Sequence, residues 1–128
     1  VFLLDFPKVK AEWDDVRVAQ DFTALFEVRA DVSKSLETLR QAKTIGSGLD
    51  AKVELTVEGL RGEILKRYEP LLPEFFIVSQ VSLKMGSYRV ESSKADGAKC
   101  ERCWYFSTEI GSDPRHSTVC AKCAQALA

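Results

Sequence analysis

The chain has 128 residues, of which 45% are hydrophobic and 29% charged, with 18 basic and 19 acidic side chains. This length allows one modest hydrophobic core, or one core with a small appendage that needs its own cross-link. The net charge of -1 excludes strong non-specific attraction to polyanions, so any contact with nucleic acid has to come from a local basic surface. No segment approaches the roughly 20 consecutive apolar residues that a transmembrane helix requires, and we expect no membrane partner.

The N-terminal stretch VFLLDFPKVK lacks the features of a secretory signal peptide. It starts with apolar residues, but no basic region precedes them and no cleavage site of small residues follows. The chain also begins with Val1 instead of Met, and we expect it to be part of a longer protein. Without a secretion signal the expected compartment is reducing, where cysteines serve metal or redox chemistry and disulfides are disfavoured.

The segment between Asp14 and Ile45 predicts a long helix, because it contains neither glycine nor proline. Acidic residues at its start and basic residues near its end complement the helix dipole, and the sequence Gly46-Ser47-Gly48 ends it. Apolar side chains recur along it at separations of three, four and seven, which fit the helical period; they are Phe22, Leu25, Phe26, Val32, Leu36 and Leu39.

Shorter elements follow the long helix. Residues 51–58, AKVELTVE, alternate between apolar and polar side chains, as a half-buried strand does. Residues 60–69 predict a short helix, which two prolines bracket at its end. Residues 75–83, FFIVSQVSL, and 87–93, SYRVESS, predict two strands that form a hairpin or are the last strands of a small sheet.

The predicted fold class is α+β, with a long N-terminal helix packed with a small mixed sheet and a short helix, followed by a four-cysteine zinc-finger or zinc-ribbon module. The small and polar stretch SSKADGAK, residues 92–99, predicts a tether ahead of that module. We therefore expect two domains, a helical and α+β region over residues 1–93 and a zinc-binding module over residues 94–128.

All four cysteines lie near the C-terminus, in two Cys-x-x-Cys pairs that 16 residues separate. A two-residue gap lets both thiolates of a pair reach one ion, and two pairs supply the four ligands of tetrahedral zinc. Four sulfurs leave no open position for water or substrate, so the sequence predicts one structural zinc ion. The predicted ligands are Cys100, Cys103, Cys120 and Cys123, and the basic neighbours that offset their charge are Lys99, Arg102 and Lys122.

Other interpretations of these cysteines are weaker. A thioredoxin-like redox pair would open a helix in a βαβ setting, which the sequence does not predict here, whereas an iron–sulfur centre and disulfides stay open. His116, the single histidine, is expected to lie outside the ligand set. Trp104, Tyr105 and Phe106 follow the first pair, and we expect them to form the apolar packing of the module, the alternative being that they stack on nucleic-acid bases.

Two segments, residues 22–55 and 99–127, together resemble the C-terminal region of bacterial-type isoleucyl-tRNA synthetases. The first resembles that family's long helix and the turn and strand after it, through Lys43, Ile45, Gly46, Leu49 and Ala51. The second is similar to the family's terminal zinc finger, which opens with K-C-x-R-C-W, residues 99–104. The cysteine module alone is less specific, since formamidopyrimidine-type DNA glycosylases end in a similar finger, but these lack the preceding helix and strand.

The resemblance implies a full enzyme that uses ATP with Mg2+ to attach isoleucine to its tRNA and edits mischarged valine in a separate domain. It implies no catalytic or editing residue in this chain, because no nucleotide-binding signature is present and Leu83–Ser87 is not the family's KMSKS loop. The implied role is tRNA recognition on the anticodon stem-loop side. Implied partners are tRNA(Ile) and the remainder of the synthetase, in the cytoplasm or in an organelle of bacterial descent.

The basic residues of the long helix have two interpretations. Taken alone, they are a solvated face balanced by acidic neighbours, whereas the resemblance implies that they contact RNA phosphates together with residues of the finger. The implied tRNA-binding residues are Arg29, Lys34, Arg40, Lys43, Lys99, Arg102, Trp104 and Lys122.

Two alternative functions stay open. The first is a DNA-binding finger of a formamidopyrimidine-type glycosylase, which would need a long basic helical segment ahead of the finger, where this chain has a strand-rich stretch. The second is a zinc-stapled protein-interaction domain without nucleic-acid contact.

Overall fold

A computed structural model describes residues 5–127. Residues 1–4 and 128 lie outside the described residues. The expectation about the signal peptide rests in part on residues 1–4, and the predicted module ends at residue 128. Helix α1, Val16–Gln41, is the longest element, and a short 3-10 turn at Ala11–Trp13 precedes it. Asp15 caps α1, because its carboxylate accepts hydrogen bonds from the backbone N–H groups of Arg17 and Val18 at 2.9 and 3.1 Å.

A three-stranded mixed sheet packs against α1. Its central strand is β1, Ala51–Val57, with β2, Gln80–Met85, parallel to it on one side and β3, Arg89–Lys94, antiparallel to it on the other. The alternation expected for β1 is confirmed, since every second side chain from Ala51 to Val57 is buried. One buried stripe of α1 meets this face; it consists of Leu25, Val28, Val32 and Leu36.

The parallel connection from β1 to β2 runs through two short helices, α2, Gly59–Arg67, and α3, Leu72–Phe76. Their apolar side chains Leu65, Leu72 and Phe76 complete the core that α1 and the sheet begin. The one buried charged side chain among the described residues is Asp21 of α1, which accepts hydrogen bonds from Arg67 and from the Tyr68 hydroxyl. This contact fixes α1 against α2.

In the second half of the body, the bounds predicted for one strand are wrong, and the structure decides between the two arrangements expected for the last two strands. The run from residue 75 to 83 is a strand only from Gln80, because Phe75 and Phe76 belong to α3 and Ile77, with a φ of 58°, turns the chain in the left-handed conformation. The aromatic and β-branched run follows Pro73, which favours the first turn of a helix. The hairpin is excluded, since β2 and β3 lie on opposite sides of β1; the alternative, the last strands of a small sheet, is confirmed.

The cysteine module contains a two-stranded ribbon of β4, Ala98–Lys99, and β5, Phe106–Ser107, and a short helix α4, Ala121–Gln125. The α+β fold class is thereby confirmed. The predicted tether is shorter and more fixed than expected, because β3 continues to Lys94 and Ala95 is buried. Asp96 pairs with Lys52 at 2.6 Å and exchanges two hydrogen bonds of 3.0 Å with the Gln80 side chain. No helix in the described part of the chain is long and apolar enough to span a membrane.

Candidate metal centre and nucleic-acid interface

The four cysteine sulfurs converge at one point of the module. All four lie within 4.8 Å of one another, and Cys100, Cys120 and Cys123 are buried. The Sγ atoms of Cys103 and Cys120 are 3.8 Å apart. A tetrahedron with zinc–sulfur bonds of about 2.3 Å has edges of about 3.8 Å, so this donor set fits a tetrahedral metal ion.

Backbone hydrogen bonds shape the two cysteine turns. The Trp104 N–H donates to the Cys100 carbonyl at 2.9 Å, and the Cys100 N–H donates to the Tyr105 carbonyl at 2.9 Å, which closes the first turn. In the second turn Cys120 precedes α4, and the Ala124 N–H donates to its carbonyl at 2.9 Å. The Cys120 N–H lies 3.4 Å from Cys100 Sγ and donates to it, so the second turn directly contacts a sulfur of the first.

The sulfurs differ in their electrostatic surroundings. Burial alone would raise the pKa of the Cys100 thiol, but backbone N–H groups of Cys103, Cys120 and Arg102 outweigh it and lower this pKa to about 6. Burial raises the pKa of Cys103 to about 12, and the neighbouring sulfurs act in the same direction. Backbone donors thus already stabilise one thiolate, whereas the close approach of four sulfurs calls for a cation to hold all four deprotonated.

Glycine is required at the entry to the ribbon. Gly97 has a φ of 85°, and a Cβ built on it would lie 2.2 Å from the Ser107 carbonyl oxygen, which no side chain can tolerate. This close approach lets β4 pair with β5 immediately after the connection from the body.

The expectation that the aromatic triplet forms the apolar packing of the module is wrong. The small core of the module consists of the cysteines with Val119 and Ala124, and Ile110 packs against it. Trp104 is 62% exposed, has a left-handed φ of 67° and is not part of this core. Sequence reasoning missed Val119, Ala124 and Ile110, because isolated aliphatic residues in a polar stretch show no periodicity.

Side chains of the body contact β5 and α4 of the module. The Phe106 N–H donates to Ser79 Oγ at 2.7 Å, and Ser79 Oγ in turn donates to the Leu49 carbonyl at 2.5 Å. Lys122 forms an ion pair with Glu74 of α3 at 2.6 Å. These contacts and the Asp96 connection hold the module against the edge of the sheet where β2 begins.

The structure separates the basic residues that were predicted on α1. Arg29 lies over the Phe75 ring, with its guanidinium carbon 5.4 Å from the ring centroid. Lys34 pairs with Asp31 at 3.2 Å and Arg40 pairs with Glu37, each within the helix. Lys43 lies just past the end of α1. The interpretation as a balanced solvated face therefore describes Lys34 and Arg40 well, but it does not describe Lys43.

The basic residues of the module also differ in their surroundings. The Lys99 ammonium lies 5.6 Å from the centroid of the Trp104 ring, Arg102 is exposed, and the ion pair with Glu74 holds Lys122. One further cation was missed by sequence reasoning. Lys94, the last residue of β3, and Lys43 line one surface groove between the end of α1 and the module. The sequence analysis assigned Lys94 to a tether and did not predict this.

Comparisons with known proteins identify the cysteine module and extend beyond it. Residues 97–126 match the family described as "Zinc finger found in FPG and IleRS". Isoleucine-tRNA ligase of Geobacter sulfurreducens is 42% identical over 99% of this chain, and that of Carboxydothermus hydrogenoformans is 40% identical over 99%. The chain is homologous to one segment of isoleucine-tRNA ligases. It spans 15% of the length of each of these two ligases.

The similarity also covers the residues ahead of the finger. Isoleucine-tRNA ligase of Desulforamulus reducens is 37% identical over 97% of this chain and 15% of its own length. Since the finger occupies only residues 97–126, most of each alignment falls on the residues ahead of it. The resemblance to the C-terminal region of isoleucyl-tRNA synthetases, stated above from the sequence, is thereby confirmed.

Proposed function

We propose that this chain is the tRNA-recognition region of an isoleucine-tRNA ligase, with one structural zinc ion in its finger. The observation that carries the proposal is the similarity to isoleucine-tRNA ligases over nearly the whole chain, in the body as well as in the finger. A finger alone would serve a formamidopyrimidine-type glycosylase equally well. The shared α+β body favours the ligase.

The proposed zinc ligands are Cys100, Cys103, Cys120 and Cys123. The 3.8 Å separation of two sulfurs and the burial of three of them support a closed site. A closed tetrathiolate site binds no substrate, so the ion's contribution is to fold the module and to hold its surface residues in place. We further propose residues 1–93 and 94–128 as the two structural units.

The proposed RNA-contacting surface combines the module with the end of α1. Trp104 supports it, because an exposed indole in a module whose core excludes it is suited to stacking on a base. The proposed contacts are those implied by the resemblance, namely Arg29, Lys34, Arg40, Lys43, Lys99, Arg102, Trp104 and Lys122. Those that already have acidic partners, Lys34, Arg40 and Lys122, should contribute least.

We propose further that the full-length ligase uses ATP with Mg2+ to attach isoleucine to tRNA(Ile), and that this chain contacts the anticodon stem-loop side of that tRNA. Its partners would be tRNA(Ile) and the remainder of the synthetase. The proposed location is the cytoplasm, or an organelle of bacterial descent. Because the net charge is -1, the isolated chain should bind RNA weakly and with strong salt dependence.

The test is a titration of the zinc-loaded chain with a transcript of tRNA(Ile) and with an unrelated tRNA. We expect Trp104→Ala to weaken binding of tRNA(Ile) roughly tenfold, as the loss of one stacked base would. Trp13→Ala is the matched control, since Trp13 is 59% exposed but lies outside the module. Equal loss with both variants, or no RNA binding by the unaltered chain at low salt, would reject tRNA recognition and favour a protein-interaction domain.

A further inference from the structure

A groove lies at the junction between the body and the cysteine module. It has a volume of about 470 Å³. Its walls come from the end of α1, from the loop that leads into β1, from the last residue of β3 and from the module. The residues that matter here are Arg40, Lys43, Asp50, Lys94 and Phe106. Because the last of these belongs to β5, the docked module completes the groove.

Cations from two separate elements line this groove, and Lys99 of a third lies beside it, with its ammonium 5.6 Å from the centroid of the Trp104 ring. Arg40 and Lys43 come from the end of α1, and Lys94 from the end of β3. Lys99, in β4, is near enough for its charge, with that of Lys94, to act on the Asp50 carboxylate. Residues from distant parts of the sequence that converge in this way form a site that no single segment predicts.

The acidic residue in the groove, Asp50, is in none of the ion pairs of residues 5–127. Asp50 accepts hydrogen bonds from the backbone N–H groups of Ser47 and Gly46 at 2.8 and 2.9 Å, so its carboxylate is engaged in closing the loop. Within residues 5–127, Lys43, Lys94 and Lys99 are not among the eleven basic side chains that form ion pairs. Those eleven are Lys10, Lys34, Arg40, Lys52, Arg61, Lys66, Arg67, Lys84, Arg89, Arg115 and Lys122.

The backbone at Lys43 is a second, independent feature. Its N–H donates to the Arg40 carbonyl and the Thr44 N–H donates to the Leu39 carbonyl, both at 3.0 Å, which is the helix-terminating pattern that favours glycine. Lys43 has the left-handed φ of 56° that this pattern requires. A lysine at a position suited to glycine is disfavoured locally, and strain of this kind is concentrated at functional sites.

We propose that this groove binds the phosphate backbone of RNA, with Lys43, Lys94 and Lys99 as the phosphate-contacting residues. The inference rests on the proposed function and deepens it. It assigns contacts with the RNA phosphate backbone to the groove and its neighbour Lys99, and contacts with RNA bases to Trp104 of the module. Charge complementarity supports the assignment, because flexible ammonium groups without acidic partners are suited to phosphodiesters. Of the other proposed contacts, Arg29, Lys34 and Lys122 should contribute less, because Arg29 already lies over the Phe75 ring and the two lysines are in ion pairs.

The test is a salt titration of the binding of the zinc-loaded chain to tRNA(Ile) and to an unrelated RNA of equal length. We expect Lys94→Gln to weaken both complexes roughly three- to tenfold and to reduce the salt slope by about one, since a phosphate contact carries no sequence information. Lys94→Gln together with Lys99→Gln should reduce the slope by about two. Arg17→Gln is the matched control, because it removes one exposed cation at the other end of α1, roughly 35 Å away at the helical rise.

The possible failures are distinguishable. If the unaltered chain binds no RNA, the proposed function fails and this inference fails with it. If the unaltered chain binds RNA but Lys94→Gln and Lys43→Gly bind as tightly as Arg17→Gln, the inference alone is overturned. If inorganic phosphate at constant ionic strength saturates the groove without displacing RNA, the groove is an adventitious anion site and the assignment to RNA is wrong.

Discussion

Ser79 Oγ accepts a hydrogen bond from the Phe106 backbone N–H at 2.7 Å, across 27 residues of sequence. The same hydroxyl donates to the Leu49 carbonyl, so a single side chain connects the loop before β1, the start of β2 and the ribbon of the cysteine module. Ser79 and Phe106 are both half-buried. The contact therefore positions the module, because a half-buried N–H that loses its partner is costly.

Ser79→Ala should weaken the docking of the module. The substitution leaves the Phe106 N–H and the Leu49 carbonyl without this partner, at a cost of about 1–3 kcal/mol. Hydrogen exchange at the Phe106 amide should accelerate, while exchange in β1 changes little. Ser82→Ala, at an exposed position two residues beyond Gln80 in the same strand, is the control. A Phe106 amide that stays fully protected in Ser79→Ala would show that other contacts hold the module.

Much of the fold follows from local patterns in the sequence. The period of α1, the alternation of β1 and the spacing of the cysteines each report a short-range constraint that the structure preserves. The errors arise where tertiary contacts decide. Phe75 and Phe76 favour strand by propensity but pack against the core from α3. β3 pairs with β1 and not with β2, its neighbour in sequence, which no local pattern indicates.

The cysteine cluster could be predicted from the sequence and the groove could not, because only the groove depends on tertiary contacts. The four sulfurs lie in two short segments with a fixed spacing, so their convergence is readable from the sequence. The groove joins Lys43 and Lys94, which lie 51 positions apart in the sequence and meet only through the pairing of β1 with β3. The sequence around Lys43 and around Lys94 does not distinguish these lysines from solvated surface lysines.

Lys43→Gly should stabilise the chain and weaken its binding of RNA. Relief of the left-handed backbone at residue 43 is expected to raise the free energy of unfolding by about 1 kcal/mol. Lys34→Gly is the matched control, since the same exchange inside α1 should lower that free energy by about 1 kcal/mol. Urea unfolding measures both. Destabilisation by Lys43→Gly would mean that the lysine side chain makes a contact that outweighs the backbone strain.

Tyr88, the residue before β3, and Asp31 of α1 form a pH-sensitive contact. The Tyr88 hydroxyl donates to the Asp31 carboxylate at 2.9 Å; burial raises the pKa of Tyr88 to about 12, and this hydrogen bond acts in the same direction. A raised phenol pKa contributes stability that is fully present below pH ~10, the ordinary value, and is lost as pH rises through about 12.

An ultraviolet titration of phenolate tests this assignment. The step near pH 12 should disappear in Tyr88→Phe, and Asp31→Asn should move it toward pH ~10, because the carboxylate no longer opposes ionisation. Tyr68→Phe is the control, since it removes a different tyrosine and should leave the step in place. If the Tyr88 phenol ionises near pH ~10 in the unaltered chain, its contact with Asp31 does not persist in solution.

Removal of zinc should unfold the cysteine module and leave the body folded. The two have separate cores, and the small core of the module consists mainly of the ligands themselves. Structural zinc contributes about 10–16 kcal/mol to the folding of such modules, far more than Val119, Ala124 and Ile110 can supply. Elemental analysis should give one zinc ion per chain, and Cys103→Ser should release it.

The readouts separate the module from the body. In Cys103→Ser, amide protection should be lost between β4 and α4 and retained in α1 and β1. His116→Gln is the control, because His116 lies in the module but outside the sulfur cluster, and it should keep both zinc and protection. RNA affinity should fall with zinc loss, since Phe106 would no longer complete the groove and Lys99 and Trp104 would no longer be held in place. A metal-free chain that keeps the module protected and binds RNA as before would refute the structural role of the ion.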